Sequence, residues 1–510
     1  MDIIRKLYRS FKKTIYCVRR FFVLKMRDET EYARLLENRE NFLTSNGSRF
    51  YERSTYNIGI VADRFIYDGY KDTCTLRYLT PDWDENDLAD LDLLLIVSSW
   101  QGLSGEWKGV TWEGSKQMER LAELMRAAKN RKIRTAFYSK EDPPNFSVFL
   151  TFAKEAEIIF TSAEECIPKY KKECGHDNVH LLRFAVNPHL YNPIGMYNSD
   201  RDRDTVLFAG SWIKKYPQRM REQDMLFGLI TKNGLKLHIL DRNDNRGELT
   251  YEYPMRWQKY VMPAVKYDDL PYIYKQHGWI LNLNSVYDSR TMFSMRAYDA
   301  LACGCLVLSN PSEGMELTLP EVLVVRNEDD FHIVTAMSED EKESLRLAGI
   351  SRVMNGNTTY DRMEYILEKC GLDVSPTKRT AAVIALGSDE EIKRLREQFD
   401  AQTYPDKIFL TLKEITSRSG GYDAFAFWGG GLNYGAYYLE DMMNAFKYTL
   451  CSYVTVKNRD GHSYTDTAED IYKTVFWGAC FSPDEALKLS RQGVHAEGGY
   501  VVPINYIKDI

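Results

Sequence analysis

Two stretches of this chain place cations and small residues where an anion can be held. Gly210 and Ser211 follow the apolar run Thr205–Ala209, and Lys215 and Arg219 follow shortly after. A glycine turn at a strand end lets backbone N–H groups approach an anion, and the neighbouring cations favour phosphate. The second stretch, Asn284–Ser309, reads as a polar loop, an amphipathic helix carrying Arg296 and Asp299, a glycine at Gly304 and a short buried strand. Arginine suits phosphate because its planar fork meets two oxygens at once. Loop, helix start and strand tip meet at one edge of a parallel sheet, where phosphate-bearing ligands bind.

A further set of residues is suited to hydroxyl chemistry. Trp100 and Trp107 lie in Ser98–Trp107, after the strong apolar run Leu91–Val97, and Glu141 and Asp142 lie in Tyr138–Pro144, after Arg134–Tyr138. Tryptophan faces stack on sugar rings, and a carboxylate at a strand edge can orient or deprotonate an acceptor hydroxyl. The alternatives stay open at this point: tryptophans that cap a core, and a salt-bridged turn before the proline pair.

The elements that position these residues alternate between apolar runs and helical stretches, which predicts parallel sheets. A first α/β unit spans 56–192, with strands at Ile58–Val61, Leu91–Val97, Arg134–Tyr138, Glu157–Thr161 and Val179–Phe184 and a helix over Gly114–Arg131. Pro188 and Pro193 mark an extended linker. A second unit spans 200–372, with strands at Thr205–Trp212, Leu235–Leu240 and Trp279–Leu283 and a helix over Asp269–Gln276. From about Lys378 to residue 510 the pattern restarts with the strand Ala381–Leu386 and a helix after it.

Composition sets outer limits. A chain of 510 residues exceeds what a single core accommodates, so several domains are expected. The net charge of −6 argues against a general nucleic-acid binder. The nine cysteines are scattered without a CxxC pair, as in a reduced, cytoplasmic chain. Residues 1–27 differ from the rest: Arg5, Lys6, Arg9, Lys12, Lys13, Arg19, Arg20, Lys25 and Arg27 stand against Asp2 alone, with apolar residues at helical spacing between them. Basic residues interrupt every apolar run well below the ~20 residues needed to span a bilayer. The segment, bounded at 1–30, reads either as a helix lying on an anionic membrane surface or as one packed on protein.

The helix in the second unit resembles the "R-x-[FY]-[ED]-x-[LM]-A-x-G" pattern of GT-B glycosyltransferases, here Arg296, Tyr298, Asp299, Leu301, Ala302 and Gly304. The segments "FAGSW…YPQR", "YDDLPYIYK", "LNLNSVYDSRTMFSMRAYDALACG" and "LLRFAVNPHLYNP" extend the resemblance to CgeB-like glycosyltransferases over roughly residues 56–372. The acidic position is usually glutamate and here is Asp299. The resemblance implies a GT-B fold of two Rossmann-like domains with the active site between them. Gly210, Ser211, Lys215, Arg219, Arg296 and Asp299 would bind the nucleotide-sugar, with Asp299 accepting from the ribose. Trp100 and Trp107 would bind the acceptor, and Glu141 or Asp142 would act on its hydroxyl.

Residues 378–510 resemble a GT-A glycosyltransferase domain, but Gly429, Gly430 and Gly431 stand where that fold carries metal-binding aspartates. The implied reading is a degenerate GT-A-like α/β domain, with no metal and no cofactor expected. Taken together, the resemblances imply transfer of a sugar, from a UDP-sugar above all, to a cell-surface polymer or lipid-linked glycan. Teichoic acid, capsule and spore-surface polymers are all compatible. A CDP-alditol phosphotransferase and a non-catalytic carbohydrate-binding scaffold are the alternatives. The expected location is cytoplasmic, with residues 1–27 as a contact to the inner face of the membrane, and a homo-oligomer is compatible with the chain.

Overall fold

The computed structural model describes residues 27, 29–244, 251–415, 421–457, 461–468, 470–490, 494–503 and 507–509. The basic segment therefore lies outside the described residues except for Arg27, whose guanidinium pairs with Asp244 at 2.7 Å. Among the described residues no helix is long and apolar enough to cross a membrane.

The first domain is a six-stranded sheet of β1 (Asn57–Val61), β2 (Thr75–Tyr78), β3 (Leu93–Val97), β4 (Arg134–Ser139), β5 (Ile158–Thr161) and β6 (Val179–Leu181). Its order is β2-β1-β3-β4-β5-β6, with every pair parallel. The second domain holds β7 (Asp202–Gly210), β8 (Lys236–Asp241), β9 (Val261–Met262), β10 (His277–Asn282), β11 (Leu306–Ser309) and β12 (Leu323–Val324). Its order is β12-β11-β10-β7-β8-β9, again all parallel. These are the two Rossmann-like domains read from the sequence. In each sheet the chain reverses its direction of travel at one place, between β1 and β3 and between β7 and β10. Open parallel sheets bind ligands at that point, outside the carboxyl ends of the strands.

The central strands are apolar on both faces because both faces are covered. In β7, Val206 and Phe208 pack into a core private to the second domain, while Leu207 faces a larger one. In β3, Leu94 and Ile96 face a first-domain core, and Leu93, Leu95 and Val97 join Leu207 in the larger cluster. That cluster also takes Ala381, Val383 and Ala385, so it touches one face of the sheet in all three domains.

The last domain has a mixed seven-stranded sheet. Its strands are β13 (Ala381–Ala385), β14 (Lys407–Thr411), β15 (Ala424–Trp428), β17 (Tyr453–Lys457), β18 (Ser463–Ala468), β19 (Thr474–Trp477) and β20 (Val494–Pro503), with β16 (Leu432–Tyr434) paired to β21 (Ile507–Asp509) outside it. After β15, Gly430 and Gly431 adopt positive φ, and a Cβ on Gly430 would meet the Tyr472 ring at 2.9 Å. Among the described residues no cluster of His, Cys, Asp or Glu has the makings of a metal site.

Helix Thr359–Lys369, which follows the second domain in the chain, packs on the first. The Tyr360 hydroxyl donates to the Asp72 carbonyl at 3.1 Å, Arg362 Nε to the Arg183 carbonyl at 3.1 Å, and Tyr365 meets the Phe160 ring at 6.3 Å between centroids. The segment before β1 straps the parts together: Lys275 donates to the Leu43 carbonyl, Tyr51 to Asp361, and Arg49 N–H to the Phe446 carbonyl.

Candidate functional site

The carboxyl edge of the second sheet is built around β7. Side chains two residues apart share a strand face, so Gly210 lies over the Phe208 ring, and a Cβ there would come within 2.5 Å of it. The same ring carries the Arg296 guanidinium at 5.2 Å, and Arg296 Nη2 donates to the Ala209 carbonyl at 2.6 Å. Glycine at 210 thus leaves room for the aromatic seat on which Arg296 rests. Ser211 is fixed from the turn after β8, where Asn243 Nδ2 donates to its Oγ at 2.8 Å.

Arg219 projects from the first turn of helix Pro217–Lys232, whose proline at N1 needs no hydrogen-bond partner for a backbone N–H. Its side chain is buried and donates to the Ser211 carbonyl at 3.3 Å and to Gln223 at 3.4 Å, while Nε has no partner among the described residues. Burial, and then the neighbouring Arg296 charge, lowers the guanidinium to about 10, which leaves it cationic at neutral pH. Among the described residues neither arginine has a carboxylate within salt-bridge distance. Lys215 is exposed, with its ammonium 5.5 Å from the Tyr216 ring, and is not gathered into this group.

Asp299 lies three residues after Arg296 on the short helix Arg296–Ala302, and it is buried. It lines a pocket between the two domains together with Phe65, Tyr138, Tyr191, Tyr267 and Met295. No hydrogen bond reaches its carboxyl among the described residues. Burial raises it to about 8, against the opposing pull of Arg296, so at pH 7 it is largely a neutral acid. The ribose acceptor expected from the sequence is therefore a carboxylic acid able both to donate and to accept.

A polar network that the sequence reading missed holds the loop before this helix. Glu222 accepts from the Tyr287 hydroxyl at 2.8 Å and from Asn310 Nδ2 at 2.7 Å. Asn284 accepts from Ser294 N–H at 3.0 Å, and its own N–H donates to Asn310 Oδ1 at 2.7 Å. The available signal was polar residues directly after two adjacent buried strands, at Asn284 and Asn310. The loop reaches across to the first domain, where Thr291 Oγ1 accepts from Glu164 N–H at 2.9 Å and donates to the Ser162 carbonyl at 3.0 Å.

On the first sheet, the adjacent residues Glu141 and Asp142 point opposite ways. Glu141 pairs with Lys140 Nζ at 2.6 Å, accepts from Asn145 Nδ2 at 3.2 Å and keeps part of its carboxylate in solvent. Asp142 is fully buried, accepting from Thr161 Oγ1 at 2.6 Å and from the Tyr170 hydroxyl at 3.2 Å. Burial raises its carboxyl to about 6, with the Thr161 hydrogen bond pulling the other way. Asp142 is a core tie and has no access to an acceptor, which corrects the sequence expectation. Trp107 is corrected likewise: it is fully buried, its indole N–H donates to the Leu79 carbonyl at 2.9 Å, and neither ring face is open to a sugar. Trp100 is 41% exposed, with its ring edge-on to Phe149.

Comparison with known proteins adds a family match to this geometry. Residues 221–368 match the family described as Glycosyl transferase-like. No curated protein matches the chain. Similar solved structures include an alpha-glucosyltransferase in complex with UDP-glucose and DNA containing an abasic site, at 12% identity and TM-score 0.41 over 62% of this chain and 100% of the other. The pneumococcal O-GlcNAc transferase GtfA in complex with UDP and GlcNAc is similar at 11% identity and TM-score 0.34, over 55% and 56%. Anabaena HepE in complex with UDP is similar at 12% identity and TM-score 0.38, over 62% and 91%.

Proposed function

We propose that the chain is a glycosyltransferase that moves a sugar from a UDP-sugar to a glycan acceptor. One observation carries the reading. Arg219, buried and without a carboxylate partner among the described residues, stands beside Arg296 at the carboxyl end of β7, in the domain that carries the family match. Cations that no carboxylate neutralises call for an anionic ligand, and a nucleoside diphosphate supplies one.

In this reading the bond between the sugar's anomeric carbon and the diphosphate oxygen breaks, and a bond to an acceptor oxygen forms. Arg219 and Arg296 stabilise the charge that grows on the leaving diphosphate, and the backbone at Gly210 and Ser211 lies close against it. Asp299, neutral at pH 7, exchanges hydrogen bonds with ribose hydroxyls. Glu141 orients the acceptor hydroxyl or takes its proton. The two guanidiniums do the work of a divalent metal, which makes turnover metal-independent. Cell-surface or lipid-linked glycans are the acceptors this reading favours, and the basic residues of segment 1–27 would hold the enzyme at the inner face of the membrane.

The test is a thermal-shift screen against UDP-, GDP-, CDP- and dTDP-sugars, with and without Mn²⁺, on the unaltered chain and on Arg296→Ala. The expected result is stabilisation by UDP-sugars that is indifferent to metal and lost in the variant. A shift that needs Mn²⁺ and survives Arg296→Ala would place the donor elsewhere, and a shift with CDP compounds alone would name a different donor.

A further inference from the structure

The connection from β3 to helix Lys116–Asn130 runs from Ser98 to Ser115, far beyond the ~2–6 residues usual between strand and helix. Loops of that length inside compact domains are commonly functional. This one is also held rigidly. Asp63, directly after β1, accepts from Ser99 Oγ at 2.7 Å and from the N–H groups of Trp100, Gln101 and Gly102 at 3.2, 3.2 and 3.1 Å. It also pairs with Lys140 Nζ at 3.2 Å, and the same ammonium holds Glu141. Burial alone would raise the Asp63 carboxyl, but Lys140, Ser99 and the backbone donors outweigh it and hold the group below the usual range, as a fixed anion. Farther along, Glu106 accepts from Leu103 N–H at 2.9 Å and Ser104 N–H at 2.8 Å, and Trp107 plugs into the core.

The frame displays two large aromatic faces. Trp100 is 41% exposed and Trp112 is 64% exposed. Trp100 meets the Phe149 ring edge-on yet leaves much of its surface bare, and the surroundings say what would cover the exposed faces. From Ser98 to Lys116 the charged residues are Glu106, Lys108, Glu113 and Lys116, which sum to zero. A nucleic acid or a polyphosphate calls for a basic surface; an uncharged, hydroxyl-rich ring calls for aromatic faces with hydrogen-bonding groups at their edges.

We propose that the loop Ser98–Ser115 is the platform for an uncharged oligosaccharide acceptor, with Trp100 and Trp112 as its stacking faces and Asp63 as the positioning residue that fixes Trp100 and Glu141 on one frame. The inference rests on the transferase reading above and adds to it the class of acceptor and the side chains that hold it.

The test is binding of the labelled full-length chain to an array of immobilised neutral oligosaccharides in the presence of UDP, run for the unaltered chain, Asp63→Asn and Trp112→Ala. UDP-induced thermal stabilisation is measured on each. The unaltered chain should retain a subset of the glycans, and each variant should lose that signal about tenfold, the scale of one stacking or charge-assisted contact. The UDP shift should persist in all three, which separates a loss confined to the acceptor side from a chain that no longer folds. Trp112→Ala alters an exposed side chain and keeps the test open should Asp63→Asn fail to fold. Failure of the unaltered chain to retain any glycan, or undiminished retention by the variants, overturns the proposal. Absence of the UDP shift in the unaltered chain strikes instead at the donor reading.

Discussion

At the carboxyl end of β7, Arg219 and Arg296 stand close to one another with no carboxylate in salt-bridge range among the described residues, and the nearby Glu222 is occupied by Tyr287 and Asn310. At the carboxyl ends of β1, β3 and β4 the balance is reversed. One buried ammonium, Lys140, is shared by Asp63 and Glu141, and Asp63 gathers a whole loop of donors besides. Two sheets of closely related topology thus present one edge whose cations lack a carboxylate and one whose single ammonium is shared by two carboxylates. The edge at β7 needs an anionic ligand to complete it. The edge at β1, β3 and β4 offers surfaces to an uncharged one. That division is what the transfer proposed above, from an anionic donor to a hydroxyl acceptor, would use.

The comparison can be broken most forcefully inside the first-domain edge. Trp107→Ala should cost about 3–5 kcal/mol of stability, as for a buried aromatic truncated to alanine, whereas Trp100→Ala should leave the melting temperature nearly unchanged. Chemical denaturation of the two variants checks this, and equal losses would mean that both tryptophans are core. Arg219→Met tests the other edge. Removing a buried cation without a carboxylate should leave stability unchanged or raised, while UDP affinity falls by about 2–3 kcal/mol, the value of hydrogen bonds to a charged group. Calorimetric titration with UDP reads the loss; a destabilised variant with normal affinity would show that the arginine is structural.

A further effect concerns pH. The Asp299 carboxyl lies at about 8 in the fold against 3.8 in its unperturbed state. Between those values the folded chain holds a proton that the unfolded chain has released. Its contribution is present below pH 3.8 and lost as pH rises to about 8. Asp299→Asn keeps the neutral shape and removes this dependence, so its stability advantage over the unaltered chain should grow as pH rises from about 4.5 to about 8 and vanish in acid. Parallel melting curves from pH 4.5 to 8.5 would mean that the carboxyl is ionised and solvated in the native state.

What could be read from the sequence depended on how local the information was. Runs such as Leu91–Val97 and Trp279–Leu283 announced central strands because both faces must be apolar. β2 went unread because it lies at the sheet edge with side chains partly in solvent, and β9 and β12 because two residues make no pattern. Gly210, Arg219 and Arg296 were legible from a glycine turn followed by cations and from a familiar helix. Asp63 and Glu222 were not, since each reads as an ordinary acid near a helix start until partners dozens of residues away give it a purpose. Glu141 and Asp142 show the limit most directly. They are neighbours of like chemistry, and only the course of the turn after β4 decides which faces solvent and which the core.

The placement of helix Thr359–Lys369 on the first domain has a consequence for biosynthesis. The second domain is an insertion between the last strand of the first domain and its final helix. During synthesis the first domain stays unfinished until the whole of the second has left the ribosome, so its exposed apolar face waits for a partner made nearly two hundred residues later. The two sides of the cleft between the domains are thereby obliged to mature together, and a chain arrested within the second domain leaves neither side complete.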